Sequence, residues 1–367
     1  MKIVYIVLKG MPLGGGVEKY TEEIGARLAE KGHEVIVYTM RHYGAKDGFY
    51  KGMSIKTIPT LRTKSFEKLI ASFLATLKLC IEDKVDIVHF HAFGPAMFCF
   101  IPRLLGKKVI VQGHGLEWKR SRWGMIGKLF LKISEIPSVK FCNKLAVVSK
   151  VQQNYVREKY KVESEYIPTG VNLPTIVKPE LIKEEYGLNG NDYILFASRL
   201  VREKGAHYLI EAYNRLKTNI KLVIAGDAEH EERYKAELHE LVKGNKNIIF
   251  TGFVTGKKLH ELFSNCYFFV QPSEVEGLPI ALLEAMSYGN CCLASDIEEN
   301  IEALQKYGYV FKSMNIDSLT EILGRLLSDY SLVKCKKNEV SKYVLENYSW
   351  DNIAVKFENL YNKTIAL

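Results

Sequence analysis

Apolar and polar positions along the chain follow two alternating periods. Short apolar runs at 3–8, 34–38, 86–90, 109–111 and 145–148 are rich in β-branched residues and bounded by polar or glycine-containing turns, so they read as buried strands. Between them, 17–30 and 66–81 carry apolar residues three and four apart, the spacing that gives one helical face. A strand that is apolar at successive positions needs cover on both faces of its sheet. That predicts parallel sheets flanked by helices.

The pattern pauses at Pro168-Thr169-Gly170-Val171-Asn172-Leu173-Pro174, a cluster that punctuates rather than continues an element. It restarts with strands at 193–197, 221–225, 248–250, 267–271 and 291–294, alternating with helices at 206–216, 231–242, 257–263 and 280–287. Beyond Asp317 the chain reads as helical, at 319–327, 340–347 and 350–361. The expected architecture is α/β, with two doubly wound Rossmann-like domains facing across a cleft: 1–172, and 173–348. The terminal helix, about 349–367, is expected to return to the first domain.

Composition supports two soluble cores. The chain has 367 residues, 47% of them hydrophobic and 25% charged, which excludes a disordered polymer. The N-terminal apolar run lacks a cleavage-site pattern and reads as a strand. The most apolar stretch, 92–105, is broken by Gly94, Pro95, Pro102 and Arg103, short of the roughly 20 apolar residues a membrane span needs. Seven cysteines, without a C-x-x-C pair, suggest a reducing cytoplasm.

The formal net charge of +9 is unevenly placed. Lysines and arginines crowd 103–140, where only Glu117 and Glu135 oppose them. Within 116–132 the cations interleave with Trp118, Trp123, Met125, Leu129 and Phe130. Two readings stand: a helix packed on the first domain with a solvated basic face, or a contact with an anionic membrane at the inner face of the plasma membrane.

Chemistry-bearing positions fall at strand ends. Leu13-Gly14-Gly15-Gly16-Val17-Glu18 joins the first strand to the first helix, where glycines let a phosphate approach free backbone N–H groups. The spacing is not G-x-G-x-x-G, and the second strand ends in Tyr38-Thr39-Met40-Arg41 with no acid for a ribose, which disfavours a dehydrogenase. Arg199 and Lys204 lie on the loop after the 193–197 strand, where two cations suit a diphosphate. Glu276 and Glu284 bracket a Gly277-Leu278-Pro279 turn at the start of a helix beginning at Ile280. Gly277 would adopt unusual backbone angles, and Pro279 would fit the first helical turn. Glu284 sits among Leu282, Leu283, Ala285 and Met286, so its carboxylate requires donors such as ribose hydroxyls or an internal cation. His114 follows the 109–111 strand, while His89 and His91 share one face of a strand without a third metal ligand and read as structural. Neither an Asp-x-Asp nor a G-x4-G-K-[ST] sequence occurs, so no metal and no kinase-type chemistry is expected.

In these motifs the chain resembles glycosyltransferase family 4, retaining enzymes of GT-B fold. Glu276 and Glu284 match the family's E-x7-E motif. Gly15-Gly16-Val17-Glu18 resembles its first-loop motif, Arg199 with Glu203-Lys204-Gly205 its R-x3-EKG motif, and Pro168 to Asn172 its interdomain motif, with Thr169 in place of the usual Asn. Asn247 to Val254 resembles the strand and loop beside the nucleotide base, although Gly226-Asp227-Ala228-Glu229 lacks the family's second glycine. Segments similar to Gly115-Leu116-Glu117-Trp118-Lys119-Arg120 occur in bacterial cell-surface polysaccharide glycosyltransferases.

The resemblance implies a hexosyltransferase taking a sugar from a nucleoside diphosphate, with a UDP-sugar favoured, to a saccharide or lipid-linked acceptor. His114 and Glu276 would be catalytic, His114 by donating a hydrogen bond to the donor sugar. Gly15, Gly16, Arg199, Lys204, Phe253, Val254, Gly277, Leu278, Pro279, Ile280 and Glu284 would bind the donor, with no cofactor, metal or nucleic acid involved. The alternatives are a GT-B nucleotide-sugar epimerase and a non-catalytic protein that binds a membrane surface or nucleic acid through the basic segment.

Overall fold

The computed structural model describes residues 1–12, 15–44, 46–60, 67–82, 84–121, 123–228, 231–334 and 337–367. Leu13 and Gly14 of the first loop, Phe66 at the expected helix start, Arg122 and Glu229 lie outside the described residues. The chain divides into two compact units, Met1–Gly170 with Trp350–Leu367, and Val171–Ser349.

The first unit is built on β1 (Lys2–Leu8), β2 (Glu34–Met40), β3 (Gly48–Tyr50), β4 (Met53–Ile58), β5 (Ile87–His91), β6 (Lys108–Gly113), β7 (Lys144–Val147) and β8 (Glu165–Tyr166). Their order is β3-β4-β2-β1-β5-β6-β7-β8. Ile3 to Leu8 are almost wholly buried, as a central parallel strand covered on both faces requires. Ile3 pairs with Val35 on one side and Ile87 on the other. The strand order reverses between β1 and β5, which opens a crevice at their carboxyl ends.

The pattern did not predict β3, β4 or β8; β3 pairs antiparallel with β4 at the sheet edge. It has three residues, and Phe49 is exposed, so no apolar run marks it. Lys51 and Gly52 have φ of 46° and 75°, the handedness that a two-residue hairpin turn demands.

The helix Trp350–Ile365 belongs to the first unit. It buries Trp350, Ile353, Ala354, Phe357, Leu360 and Tyr361, spaced as one helical face. Ile353, Phe357 and Leu360 each contribute roughly 1.5–3 kcal/mol by leaving water. Arg27 Nε bonds Asp351 Oδ1 at 2.6 Å, and the Tyr361 hydroxyl lies 3.0 Å from that of Tyr5 and 2.7 Å from His89 Nδ1.

The second unit contains β9 (Tyr193–Ala197), β10 (Lys221–Ala225), β11 (Ile248–Gly252), β12 (Phe268–Gln271), β13 (Cys292–Ser295) and β14 (Tyr309–Phe311), in the order β11-β10-β9-β12-β13-β14. Every pairing is parallel. Ile194, Phe196, Leu222, Ile224, Phe268 and Val270 form its core with Leu319, Leu323 and Leu326 of the helix Ile316–Ser328. That helix is capped by Asn315, whose side chain accepts from Ser318 N–H at 2.8 Å. β14 is a three-residue edge strand with Val310 exposed, too short for the apolar pattern to register. The order here reverses between β9 and β12.

Candidate functional site

In the second unit the reversal between β9 and β12 brings two loops together. Lys204, after β9, places its ammonium 2.5 Å from Glu276 Oε1, on the loop after β12. The same oxygen accepts from Gln271 Nε2 at 2.8 Å and from Ser273 Oγ at 2.7 Å. Ser273 is held in turn, because its carbonyl accepts from Ser295 Oγ at 2.5 Å and Asn300 Nδ2 donates to Ser295 Oγ at 2.9 Å. Three donors on one carboxylate oxygen occupy its lone pairs and weaken it as a nucleophile. The second oxygen, Oε2, has no hydrogen bond among the described residues.

Backbone contacts lock the same loops. Glu274 N–H donates to Glu203 O at 2.9 Å, and the Tyr208 hydroxyl donates to Glu274 Oε1 at 2.9 Å. Burial, with Glu274 beside it, pushes the Tyr208 phenol up to about 12. Gly205 has φ 73°, and a Cβ there would stand 2.0 Å from Pro272 O, so only glycine allows the β9 loop to approach the end of β12. Gly226 is equally constrained, with φ 149° and Ser198 O at 1.8 Å from an added Cβ. Sequence reasoning left Gln271 and Ser273 without a role, since nothing in a Gln-Pro-Ser sequence shows which carboxylate its donors meet.

The turn into the helix Ile280–Ser287 differs from expectation at two residues. Pro279 is the residue before the helix, with φ −77° and ψ 98°, rather than part of its first turn. Gly277 does not adopt a left-handed angle, so glycine is not demanded there by backbone handedness. Leu278 is buried beneath the turn, Ile280 is half-buried, and Glu284 is half-buried among apolar neighbours. Arg199 is exposed. Phe253 is exposed and Val254 half-buried, immediately after Gly252, whose carbonyl accepts from Gly226 N–H at 2.9 Å.

In the first unit, Gly15 caps and Gly16 begins the helix Gly16–Glu30. Glu18 is buried in that helix's first turn, and its Oε1 accepts from Lys9 N–H at 3.2 Å. The helix N-terminus therefore already faces a carboxylate from its own chain.

His114, just beyond β6, is half-buried, and its Nε2 lies 2.9 Å from His91 Nδ1. Tyr20 packs edge-on against its ring, with centroids 4.9 Å apart. Burial, with Lys68 and Arg120 nearby, lowers the His114 imidazole to about 3, and His89 likewise falls to about 3 through burial. His89 and His91 share one buried face of β5, as the strand period requires. His91 nevertheless touches the candidate catalytic histidine, a link that residue spacing did not reveal.

The basic segment is not one helix. A short 3-10 turn, Glu117–Lys119, precedes the helix Met125–Lys140. Trp118 faces inward: its Nε1 donates to Glu135 Oε1 at 2.8 Å, and Lys132 Nζ stands 4.5 Å from its ring centroid. Glu135 also accepts from the Tyr155 and Tyr160 hydroxyls and from Lys159. Exposed apolar surface comes instead from Met125, Ile126, Leu129, Ile133 and Ile136, whose spacing places them on one helical face. Among the described residues no group of three or more His, Cys, Asp or Glu could hold a metal, and no helix is long and apolar enough to cross a membrane.

Two Rossmann-like units in one chain, each with its own topological switch point, define the GT-B class, and solved structures agree. Sucrose-phosphate synthase from Thermosynechococcus elongatus superposes with a TM-score of 0.84 at 19% identity, covering 100% of this chain and 99% of that one. HepE of Anabaena, solved in complex with UDP and glucose, gives 0.82 at 16% identity, covering 99% and 100%.

Family models match both parts of the chain: Glycosyltransferase Family 4 over residues 14–174, and Glycosyl transferases group 1 over residues 178–343. The chain is a GT-B glycosyltransferase of the family 4 type. It is 27% identical to UDP-Gal:alpha-D-GlcNAc-diphosphoundecaprenol alpha-1,3-galactosyltransferase of Escherichia coli, over 94% of this chain and 92% of that one. It is 25% identical to a GDP-mannose-dependent alpha-(1-6)-phosphatidylinositol monomannoside mannosyltransferase of Mycolicibacterium smegmatis, over 92% of each.

Proposed function

We propose that this glycosyltransferase moves a hexose, with retention and without a metal, from a nucleoside diphosphate donor to a saccharide or lipid-linked saccharide in cell-surface glycan synthesis. The observation that carries the reading is the Lys204–Glu276 pair, seated with Gln271 and Ser273 at the carboxyl ends of β9 and β12. Lys204 and the exposed Arg199 supply positive charge for a departing diphosphate. Glu276, saturated on Oε1, has Oε2 to orient sugar hydroxyls and acts as a positioning acceptor rather than a nucleophile. Glu284 takes the ribose hydroxyls, and the backbone of Gly277, Leu278, Pro279 and Ile280 offers N–H groups at a helix start.

Gly15 and Gly16 are assigned to the donor as backbone positions, Phe253 and Val254 to the base, and His114 to the sugar. Each of these roles rests on the resemblance to family 4. A UDP-sugar is favoured: the Escherichia coli relative is named for UDP-Gal and HepE was solved with UDP, whereas the mycobacterial relative is named for GDP-mannose. Both named relatives carry lipid-linked acceptors in their names, which supports a lipid-linked saccharide here. The apolar stripe of the helix Met125–Lys140, flanked by Lys119, Lys132 and Lys140, is assigned to peripheral contact with an anionic membrane from the cytoplasmic side.

Calorimetry with UDP, GDP, dTDP and ADP in EDTA, on wild type and Glu284→Ala, tests this reading. Metal-free binding of one diphosphate, lost in the variant, supports it and names the donor class. Absence of binding to all four would return the chain to the non-catalytic alternative.

A further inference from the structure

The polar groups around β5 form a directed chain of hydrogen bonds. The Thr21 hydroxyl donates to Val17 O, one helical turn back, at 2.9 Å. Its oxygen also lies 2.9 Å from His91 Nε2. A hydroxyl has a single proton. Were Thr21 to turn that proton toward His91, its oxygen would face the Val17 carbonyl oxygen at 2.9 Å, lone pair against lone pair. The proton between Thr21 and His91 therefore belongs to His91 Nε2.

A neutral imidazole bears one N–H, so His91 Nδ1 holds a lone pair. His114 Nε2 is 2.9 Å from it and must be the donor. That leaves His114 Nδ1 without a proton and, among the described residues, without a hydrogen-bond partner. We propose that His91 is a positioning residue that fixes His114 in its Nε2–H tautomer, so that His114 presents Nδ1 to a ligand as an acceptor.

Burial favours the neutral form of both rings, holding His91 well below the ordinary histidine range and His114 at about 3. Tyr5 and His89 both stack on His91, with ring centroids 5.3 and 4.7 Å from it, which fixes the ring plane the relay needs. The direction is opposite to that expected from the sequence, where His114 was to donate. An acceptor at this position selects a ligand O–H over an ether, fluoride or carboxylate. That the O–H belongs to a donor sugar rests on the glycosyltransferase reading; the tautomer does not.

The test is long-range proton–nitrogen correlation NMR on protein labelled with 15N-histidine, with His114 assigned from the signals missing in His114→Asn. The expected spectrum has His114 protonated at Nε2 and bare at Nδ1. His91→Phe, which removes the acceptor, shifts His114 to a mixture of tautomers, and His91→Gln, whose amide oxygen can accept the same bond, restores the Nε2–H form. A wild-type His114 protonated at Nδ1 overturns the proposal even if a variant fails to fold, as does an unchanged tautomer in a folded His91→Phe protein. The Nε2–H spectrum in a protein that binds no nucleoside diphosphate upholds the relay and removes the sugar from it.

Discussion

Lys204 Nζ stands 2.5 Å from Glu276 Oε1, with both side chains largely buried. Removing either member of such a pair leaves the other charge uncompensated, which costs about 3 kcal/mol or more. Lys204→Met is expected to lower the urea midpoint and weaken nucleoside diphosphate binding by about 10- to 100-fold, the loss of one charge-assisted contact. Glu276→Gln keeps the shape and is expected to spare nucleotide affinity while lowering kcat. Calorimetry and steady-state kinetics on the pair of variants check this. Equal loss of UDP binding in both would assign Glu276 to the nucleotide rather than to the sugar.

Gly205→Ala tests whether loop approach builds the site. With φ at 73° and Pro272 O at 2.0 Å from the new Cβ, the Lys204 loop must withdraw from the end of β12. The expected outcome is lost nucleotide binding together with a stability loss of about 1–3 kcal/mol from backbone strain. Unfolding curves and calorimetry separate the two effects. Wild-type affinity in Gly205→Ala would show that the loop tolerates displacement.

The buried histidines of β5 make the fold acid-sensitive. His89 is lowered to about 3 and His91 also lies below its ordinary value, in both cases through burial. The unfolded chain takes up these protons near pH 6.5, so it binds more protons than the folded state below that value. Stability is therefore full above about pH 6.5 and is lost as pH falls toward the folded values, by about 1.4 kcal/mol per pH unit for each histidine. Urea unfolding between pH 7.5 and 5 measures the slope. His89→Gln is expected to reduce it by one proton's worth, and an unchanged slope would exclude His89 from the transition.

Ile126→Asp with Leu129→Asp places two charges on the exposed stripe of the helix Met125–Lys140. Because these side chains are solvent-exposed, fold stability is expected to stay within about 0.5 kcal/mol of wild type. Co-sedimentation with vesicles containing anionic lipid is expected to fall several-fold. Retention equal to wild type would remove this face from any membrane contact.

The place in the fold of the candidate site in the second unit was legible because sequence and topology coincide there. Arg199 and Lys204 follow β9 within one loop, and Glu276 follows β12 within another, so strand assignment alone places them at a carboxyl edge. What spacing could not show was that β9 and β12 are neighbours across the reversal, and hence that Lys204 meets Glu276. Edge strands β3 and β14 escaped because three residues carry no usable period.

The sequence by itself determined the two doubly wound halves, since runs of successive apolar residues are stable only as parallel strands covered on both faces. It also determined the amphipathic face of the terminal helix, through apolar residues recurring three and four apart. Only tertiary structure decided that Gln271, Ser273 and Lys204 converge on one carboxylate oxygen, and that Thr21 sets the proton on His91. The physical reason is range. Apolar periodicity is a local property of the chain, whereas a hydrogen bond has direction and about 3 Å of reach, and Lys204 and Thr21 lie 72 and 70 positions from the partners they meet, Glu276 and His91.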